Sequence, residues 1–205
     1  MIKYICCKVC KGDLALNMDM PKNVDTAIGL LQSAGFEAYA VGGCVRDTLL
    51  GKTPNDWDIT SSASPEEIKA VFADFHCIDT GIKHGTVTVI VDGEPLEITT
   101  FRLDGEYEDN RHPKSVTFTS VLGEDLGRRD FTVNAMAYSR KTGTVDLFGG
   151  RDDLKNGIIR CVGDPDRRFN EDALRILRAL RFASTLDFEI EPLTAQSLIN
   201  NRTLL

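Results

Sequence analysis

Ala40-Val-Gly-Gly-Cys-Val-Arg-Asp-Thr-Leu-Leu-Gly51, followed by Asn55-Asp-Trp-Asp-Ile59, is the stretch whose reading decides the fold. The glycine pair Gly42-Gly43 separates an apolar run from Arg46-Asp47, and two carboxylates follow with a single residue between them. In an extended segment side chains alternate faces, so Asp56 and Asp58 point the same way, about 6–7 Å apart along the strand. Aligned carboxylates offer hard oxygen ligands that suit Mg²⁺, which takes one or two of them and leaves its other positions to water and phosphate. Gly42 and Gly43 carry no Cβ and let backbone approach a ligand closely. Taken singly, Asp-x-Asp is also an exposed strand end and Gly-Gly a plain turn. In this order they read together as a phosphate-handling, metal-dependent site with Asp56 and Asp58 as the metal ligands.

The rest of the composition bounds the class. A chain of 205 residues fits one medium domain, or one domain with a short helical appendage. An apolar share of 42% beside 27% charged residues is ordinary for a globular core. The net charge of −7 argues against a uniformly basic, nucleic-acid-coating surface but leaves room for a local arginine cluster. No apolar run approaches the ~20 residues that span a bilayer, so the chain reads as soluble and cytoplasmic, without a membrane partner. Neither G-x-G-x-x-G nor a Walker loop is present, which sets aside Rossmann dehydrogenases and P-loop NTPases. Among the six cysteines, Cys44, Cys77 and Cys161 sit in apolar surroundings and read as buried thiols. Cys6, Cys7 and Cys10 give half of a zinc-ribbon spacing with no second half, so no structural zinc site is expected. Residues 1–20 are too short and too polar for a secretory segment and read as an uncertain N-terminal extension, non-native or misassigned.

Along the chain, Val24, Ala27, Ile28 and Leu31 at helical spacing predict a helix over 21–34, leading into a strand at 36–41. A short helix over 45–50 and a carboxylate-bearing strand over 55–60 follow. Ser64-Pro-Glu-Glu67 reads as a capped helix start. Strands are predicted at 77–79, 86–91 and 96–101, with Asp92-Gly93 as a hairpin turn. Residues 104–114 read as a mobile polar loop, 116–119 as a brief strand, 122–126 as a connector, 132–137 as helical and 144–148 as a strand before a Gly-Gly turn. One long helix is expected from Asn170 to Ala183. The order predicts an α+β head with a small mixed sheet and flanking helices, followed by a helical tail.

Several residues stand out chemically. Glu97 lies between apolar neighbours on a strand, where a carboxylate is costly unless paired or metal-bound; a water-facing edge position is the alternative. Arg128 and Arg129 offer forked donors to phosphate oxygens, while Asp130 and Asn134 could bond a ribose or brace the arginines; a capped helix start with exposed arginines is the other reading. Asp172, Arg175, Arg178 and Arg181 recur every three residues and form one drifting stripe, with Ala173, Leu177 and Leu180 packing inward on another face. That spacing also fits an exposed helix laced with ion pairs from Glu171 or Asp172 to Arg175.

Four strings in this order resemble one family over about residues 20–195. They are Gly42 to Gly51 with Asp56-x-Asp-Ile59, Arg128-Arg-Asp-Phe-Thr-x-Asn-Ala135, Gly149-Gly-x-x-Asp-Leu154 through Ile159-Arg160, and Glu171-Asp-x-x-Arg-x-x-Arg178. The set is similar to the motifs of nucleotidyltransferases that include tRNA CCA-adding enzymes and bacterial poly(A) polymerases. The resemblance implies a polymerase-beta-like nucleotidyltransferase head over 21–148 and a truncated helical neck over 149–205. Family members continue into body and tail domains that grip tRNA, so the main gripping domains are expected to be missing. It implies a carboxylate triad of Asp56, Asp58 and Glu97 working with two Mg²⁺ ions ~3.5–4 Å apart. It implies nucleotide binding by Gly43, Arg46, Arg128, Arg129, Asp130, Asn134, Asp172, Arg175, Arg178 and Arg181. Asp172 as acceptor and Arg175 as donor would read the Watson–Crick edge shared by cytosine and adenine, with Arg178 reaching phosphate or locking that pair. The third string is expected to be a structural hinge, and the 104–114 loop, with Arg111, to help switch C addition to A addition. The activity implied is template-independent transfer of CMP and AMP from CTP and ATP to the 3′ end of tRNA. Poly(A) addition, or a nucleotide-binding module without turnover, are the alternatives.

Overall fold

In the computed structural model, residues 18–105 and 115–205 are described. Cys6, Cys7 and Cys10, and Arg111 with the rest of 106–114, lie outside the described residues.

Val24, Ala27, Ile28 and Leu31 are all buried on one face of α1 (Lys22–Ser33). The chain turns into β1 (Ala38–Val41), α2 (Gly43–Leu49) and β2 (Asp58–Ser61). α3 (Pro65–Val71) opens on the expected capping box, in which Ser64 and Glu67 satisfy each other's backbone N–H groups. β3 (His76–Gly81), β4 (Thr86–Val91) and β5 (Glu94–Thr100) follow, and Asp92 takes φ 53° in the turn between the last two, as a tight hairpin requires. β6 (Arg102–Asp104) and β7 (Val116–Phe118) pair as a separate ribbon on either side of the 106–114 segment. Then come α4 (Leu122–Gly127), β8 (Met136–Ser139), β9 (Gly143–Asp146), α5 (Gly150–Asn156) and β10 (Ile158–Ile159). α6 (Pro165–Glu171), α7 (Leu174–Leu186), β11 (Glu189–Ile190) and α8 (Pro192–Asn200) complete the order.

Among the described residues, seven strands make one mixed sheet in the order β3-β4-β5-β2-β1-β8-β9. Every neighbouring pair is antiparallel except β2 and β5, which run parallel and set Asp58 directly beside Glu97. Central strand β1 is buried on both faces: Ala38 and Ala40 enter the main core with α1 and α3, while Tyr39 and Val41 join a second cluster with Leu122 and Leu126 of α4. The α+β expectation holds, with flanking helices on a sheet larger than the small one foreseen. No helix among the described residues is long and apolar enough to cross a membrane.

Four expectations change. The predicted helix over 132–137 is a single 3-10 turn, Thr132–Asn134, followed by β8. All four residues of β8 are buried, so the strand shows no alternation and mimics a core helix. The connector at 122–126 is helix α4, and the turn after Gly149 starts helix α5. The long helix from Asn170 is broken. Asp172 takes φ −142° and ψ 104°, and its carboxylate accepts from Leu174 N at 3.0 Å, capping a fresh start at α7. That break resets the helix face. Arg175, Ile176, Ala179 and Phe182 point inward, whereas Leu177 and Leu180 are 49% and 48% exposed rather than packed in the core.

Candidate active site

β2 and β5 position the carboxylates. Asp56 and Asp58 are exposed on either side of half-buried Trp57, which is the alternation expected of an extended segment. Glu97, also exposed, sits one strand away in register with Asp58, and in-register residues share a sheet face. Although Asp58 reaches solvent, the protein crowded around its carboxyl partly desolvates it and raises it above the ordinary aspartate range; Arg129 pulls it back and Asp56 raises it again. Two carboxylates that repel each other beside an arginine are a donor set that a divalent cation would relieve. The expected triad is aligned rather than gathered: among the described residues no three His, Cys, Asp or Glu side chains converge as a metal-binding group.

The arginines come from three elements. Gly42, at φ 82°, turns β1 into α2, and a Cβ there would meet Arg129 Nη1 at 3.0 Å. The demand for glycine therefore falls on Gly42, while Gly43 starts the helix in ordinary geometry. One turn into α2, Arg46 donates from Nη1 to Asn134 Oδ1 at 2.6 Å and pairs with Asp47 at 2.8 Å. Asn134 Nδ2 donates in turn to Asp130 Oδ1 at 3.1 Å, and Arg178 Nε donates to Asp130 Oδ2 at 2.7 Å. Asp130 and Asn134 thus brace the arginines across α2, the 3-10 turn and α7.

Arg128 and Arg129 are held by a residue the sequence reading did not single out. Asp125 on α4 is fully buried, and its carboxylate accepts from Arg128 at 2.9 Å, from Arg129 at 3.4 Å, and from the Arg102 backbone N at 3.3 Å. Burial opposes that charge, yet the two guanidinium groups keep the carboxyl below the ordinary range. Its spacing three and four residues ahead of the arginine pair was a readable signal. Arg129 Nε is buried with no hydrogen-bond partner among the described residues. Behind this turn Gly150 packs so tightly on the Thr132 carbonyl that a Cβ could not fit, and Thr132 Oγ1 donates to Asp153 at 2.7 Å. Gly150 and Asp153 of the third motif string thus pack against and bond Thr132 of the second.

α7 supplies the last wall. Arg175 is buried and donates to Glu171 at 2.9 Å and to the carbonyls of Arg168 and Arg128, both at 3.2 Å. In this arrangement it ties α6, α7 and the Arg128 backbone together. Asp172 keeps its second carboxylate oxygen clear of that cap. Gly43, Arg46, Asp58, Arg128, Arg129, Asp130, Asn134, Asp172, Arg175, Arg178 and Arg181 all line one cleft of about 410 Å³, together with Gly42 and Phe182. Asp56 and Glu97 stand beside it.

A mixed sheet that carries paired acidic groups at the mouth of an arginine-lined cleft is the head of a nucleotidyltransferase fold. Residues 38–160 match the poly A polymerase head domain, and the chain belongs to that family. It is 58% identical over 175 residues to the CCA-adding enzyme of Lactobacillus helveticus (strain DPC 4571), covering 85% of this chain and 43% of that protein. To the CCA-adding enzyme of Pediococcus pentosaceus it is 53% identical over 189 residues, 91% of this chain and 47% of that protein. The crystal structure of the Bacillus stearothermophilus CCA-adding enzyme in complex with CTP superposes with a TM-score of 0.81 at 45% identity, covering 90% of this chain and 45% of that one. The chain spans about half the length of the curated relatives it matches.

Proposed function

We propose that this chain is the nucleotidyl-transferring head of a CCA-adding enzyme, which moves CMP and AMP from CTP and ATP to the 3′ end of tRNA and releases pyrophosphate. The observation that carries the reading is the meeting of Asp58, the Arg128-Arg129 pair and the Asp172-headed stripe in one cleft. Relatives at 58% and 53% identity named as CCA-adding enzymes, and a neighbour solved with CTP, support it over poly(A) addition.

Asp56 and Asp58 are the residues that would hold Mg²⁺, completed by phosphate oxygens and water as that ion prefers. When bound, the cation neutralises charge on the triphosphate and lowers the pKa of an attacking hydroxyl. Glu97, in register with Asp58, adds negative potential on the same face. Arg128, Arg129 and Arg46, which line the cleft, bind the phosphates with forked donors. Asp172 accepts from the exocyclic amine that cytosine and adenine share, and Arg175 sets the wall beside it. Arg178, locked on Asp130, and Arg181 complete the cationic side.

The test is release of pyrophosphate and product length with Mg²⁺, CTP, ATP and a tRNA lacking its terminal CCA, alongside direct CTP and ATP binding by the 205-residue chain. Both nucleotides are expected to bind in the presence of Mg²⁺, and Asp56→Ala/Asp58→Ala to abolish binding-linked turnover. An A-only tail formed from ATP alone would favour poly(A) addition, and nucleotide binding without turnover would leave a binding module.

A further inference from the structure

Phe182 lines the cleft but was not among the residues picked out by chemistry. It is 8% exposed, and its ring meets the fully buried ring of Phe131 edge-on at 5.9 Å. Three guanidinium groups gather on it: Arg46 and Arg178 each at 5.2 Å from the ring centroid and Arg181 at 4.7 Å. Arg46 reaches it from α2, and the other two from α7. Like charges drawn this close repel, so something must hold them together.

Arg46 and Arg178 have polar partners of their own in Asp47, Asn134 and Asp130. Arg181 is different: among the described residues its recorded contact is the Phe182 ring, and it has no carboxylate partner there. The distinction matters chemically. A carboxylate that orients an arginine also cancels its charge. An aromatic face orients the cation through its quadrupole and leaves the full positive charge for a ligand.

We infer that Phe182 is a positioning residue: its ring gathers Arg46, Arg178 and Arg181 into one cationic surface for the triphosphate. The inference rests on the nucleotidyltransferase reading for the identity of the ligand, and on the ring contacts alone for the gathering. The Phe131 contact is what a purely structural phenylalanine explains, and the Asp130–Asn134 bracing draws Arg46 and Arg178 together, but neither accounts for Arg181, which lies on the ring with no carboxylate partner among the described residues.

The experiment compares the wild-type chain with Phe182→Leu, which keeps apolar bulk, and Phe182→Tyr, which keeps the ring. In the wild type, the Nε–Hε resonances of Arg46, Arg178 and Arg181 are expected to show upfield ring-current shifts, lost in Phe182→Leu and kept in Phe182→Tyr. Affinity for CTP and for ATP, measured with Mg²⁺ by calorimetry, is expected to fall roughly 5- to 30-fold in Phe182→Leu and equally for both nucleotides, because the phosphates are what they share. Phe182→Tyr should stay within about threefold of wild type. Equal binding by folded Phe182→Leu, or unshifted arginine resonances in the wild type, overturns the inference; the second measurement stands even if Phe182→Leu does not fold. A wild-type chain that binds neither nucleotide rejects the functional reading instead, and with it the triphosphate as ligand, while the resonances still judge the gathering.

Discussion

Asp58 lies within the electrostatic reach of Arg129, and Asp125 pairs with Arg128 and Arg129, yet their environments move the two carboxyls in opposite directions. Burial dominates at Asp58 and raises its pKa, with Arg129 lowering it and Asp56 raising it. A carboxyl raised on folding is held more tightly as the acid, so its contribution to stability is present at low pH and lost as pH rises through the raised value. Charged Asp58 therefore destabilises the cation-free fold at neutral pH. Asp58→Asn is expected to raise Tm in chelator while reducing pyrophosphate release by at least about 10²-fold. Added Mg²⁺ should raise the Tm of the wild type and leave the variant unmoved, since ligand stabilises only what binds it; scanning fluorimetry in Mg²⁺ and in chelator reads both. At Asp125 burial opposes the charge, but Arg128 and Arg129 prevail and lower the pKa. That stabilisation is present above the ordinary aspartate pKa and is lost as pH falls through the lower folded value. Asp125→Ala takes away the buried counter-charge that Arg128 and Arg129 share, leaving Arg128 only Asp104 at 3.6 Å, and is expected to cost about 2–4 kcal/mol in urea denaturation. A loss under about 0.5 kcal/mol, as at an ordinary surface site, would contradict the hub role.

The break between α6 and α7 separates two tasks of Asp172 that one helix could not have combined. Its Oδ1 caps Leu174 N, and the proposed function gives the other oxygen to a base. Asp172→Ala should lose the cap, about 1 kcal/mol, together with nucleotide affinity. Asp172→Asn should keep the cap and its Tm but weaken CTP and ATP about tenfold, because an amide offers a donor where the base amine needs an acceptor. Equal affinities for Asp172→Asn and wild type would reduce Asp172 to a cap. The break itself was illegible in the sequence, since Asp172, Arg175, Arg178 and Arg181 repeat as a helix would, and the preference of an aspartate to cap its own backbone competes with that period. Where a period met solvent on one side the elements were readable, as in α1, and where turn chemistry was specific they were too, as at Ser64-Pro65 and Asp92-Gly93. β8 escaped because both its faces are buried, and α4 and α5 because six or seven residues are too few to display a period. At the site, the ordered motif strings singled out Asp58, Arg128 and Arg129, which the fold brings into one cleft. Asp125 was readable in its spacing from the arginine pair, whereas the contact of Phe182 with Arg46 depends on tertiary packing.

Charge is segregated across the molecule as a whole. The chain carries a net −7, yet six arginines line a single cleft. Most of them are already answered: Arg128 and Arg129 by Asp125, Arg178 by Asp130, Arg175 by Glu171, Arg46 by Asp47. A cleft of about 410 Å³ is on the scale of a single small ligand and far too small for the body of a folded RNA. A net charge of −7 disfavours the remaining phosphates. The 205-residue chain is therefore expected to bind CTP and ATP far better than it binds tRNA. If two to four phosphates are contacted at a single-stranded 3′ end, log K for tRNA should fall with log salt at a slope of roughly −1.5 to −3. Filter binding across a salt series, with intact tRNA and with a short oligonucleotide copying its 3′ end, measures this directly. Similar weak affinity for the two, with the same shallow slope, is the outcome that a cleft-restricted contact requires. Tight tRNA binding with a steep slope that the oligonucleotide does not reproduce would mean a second cationic surface outside the cleft.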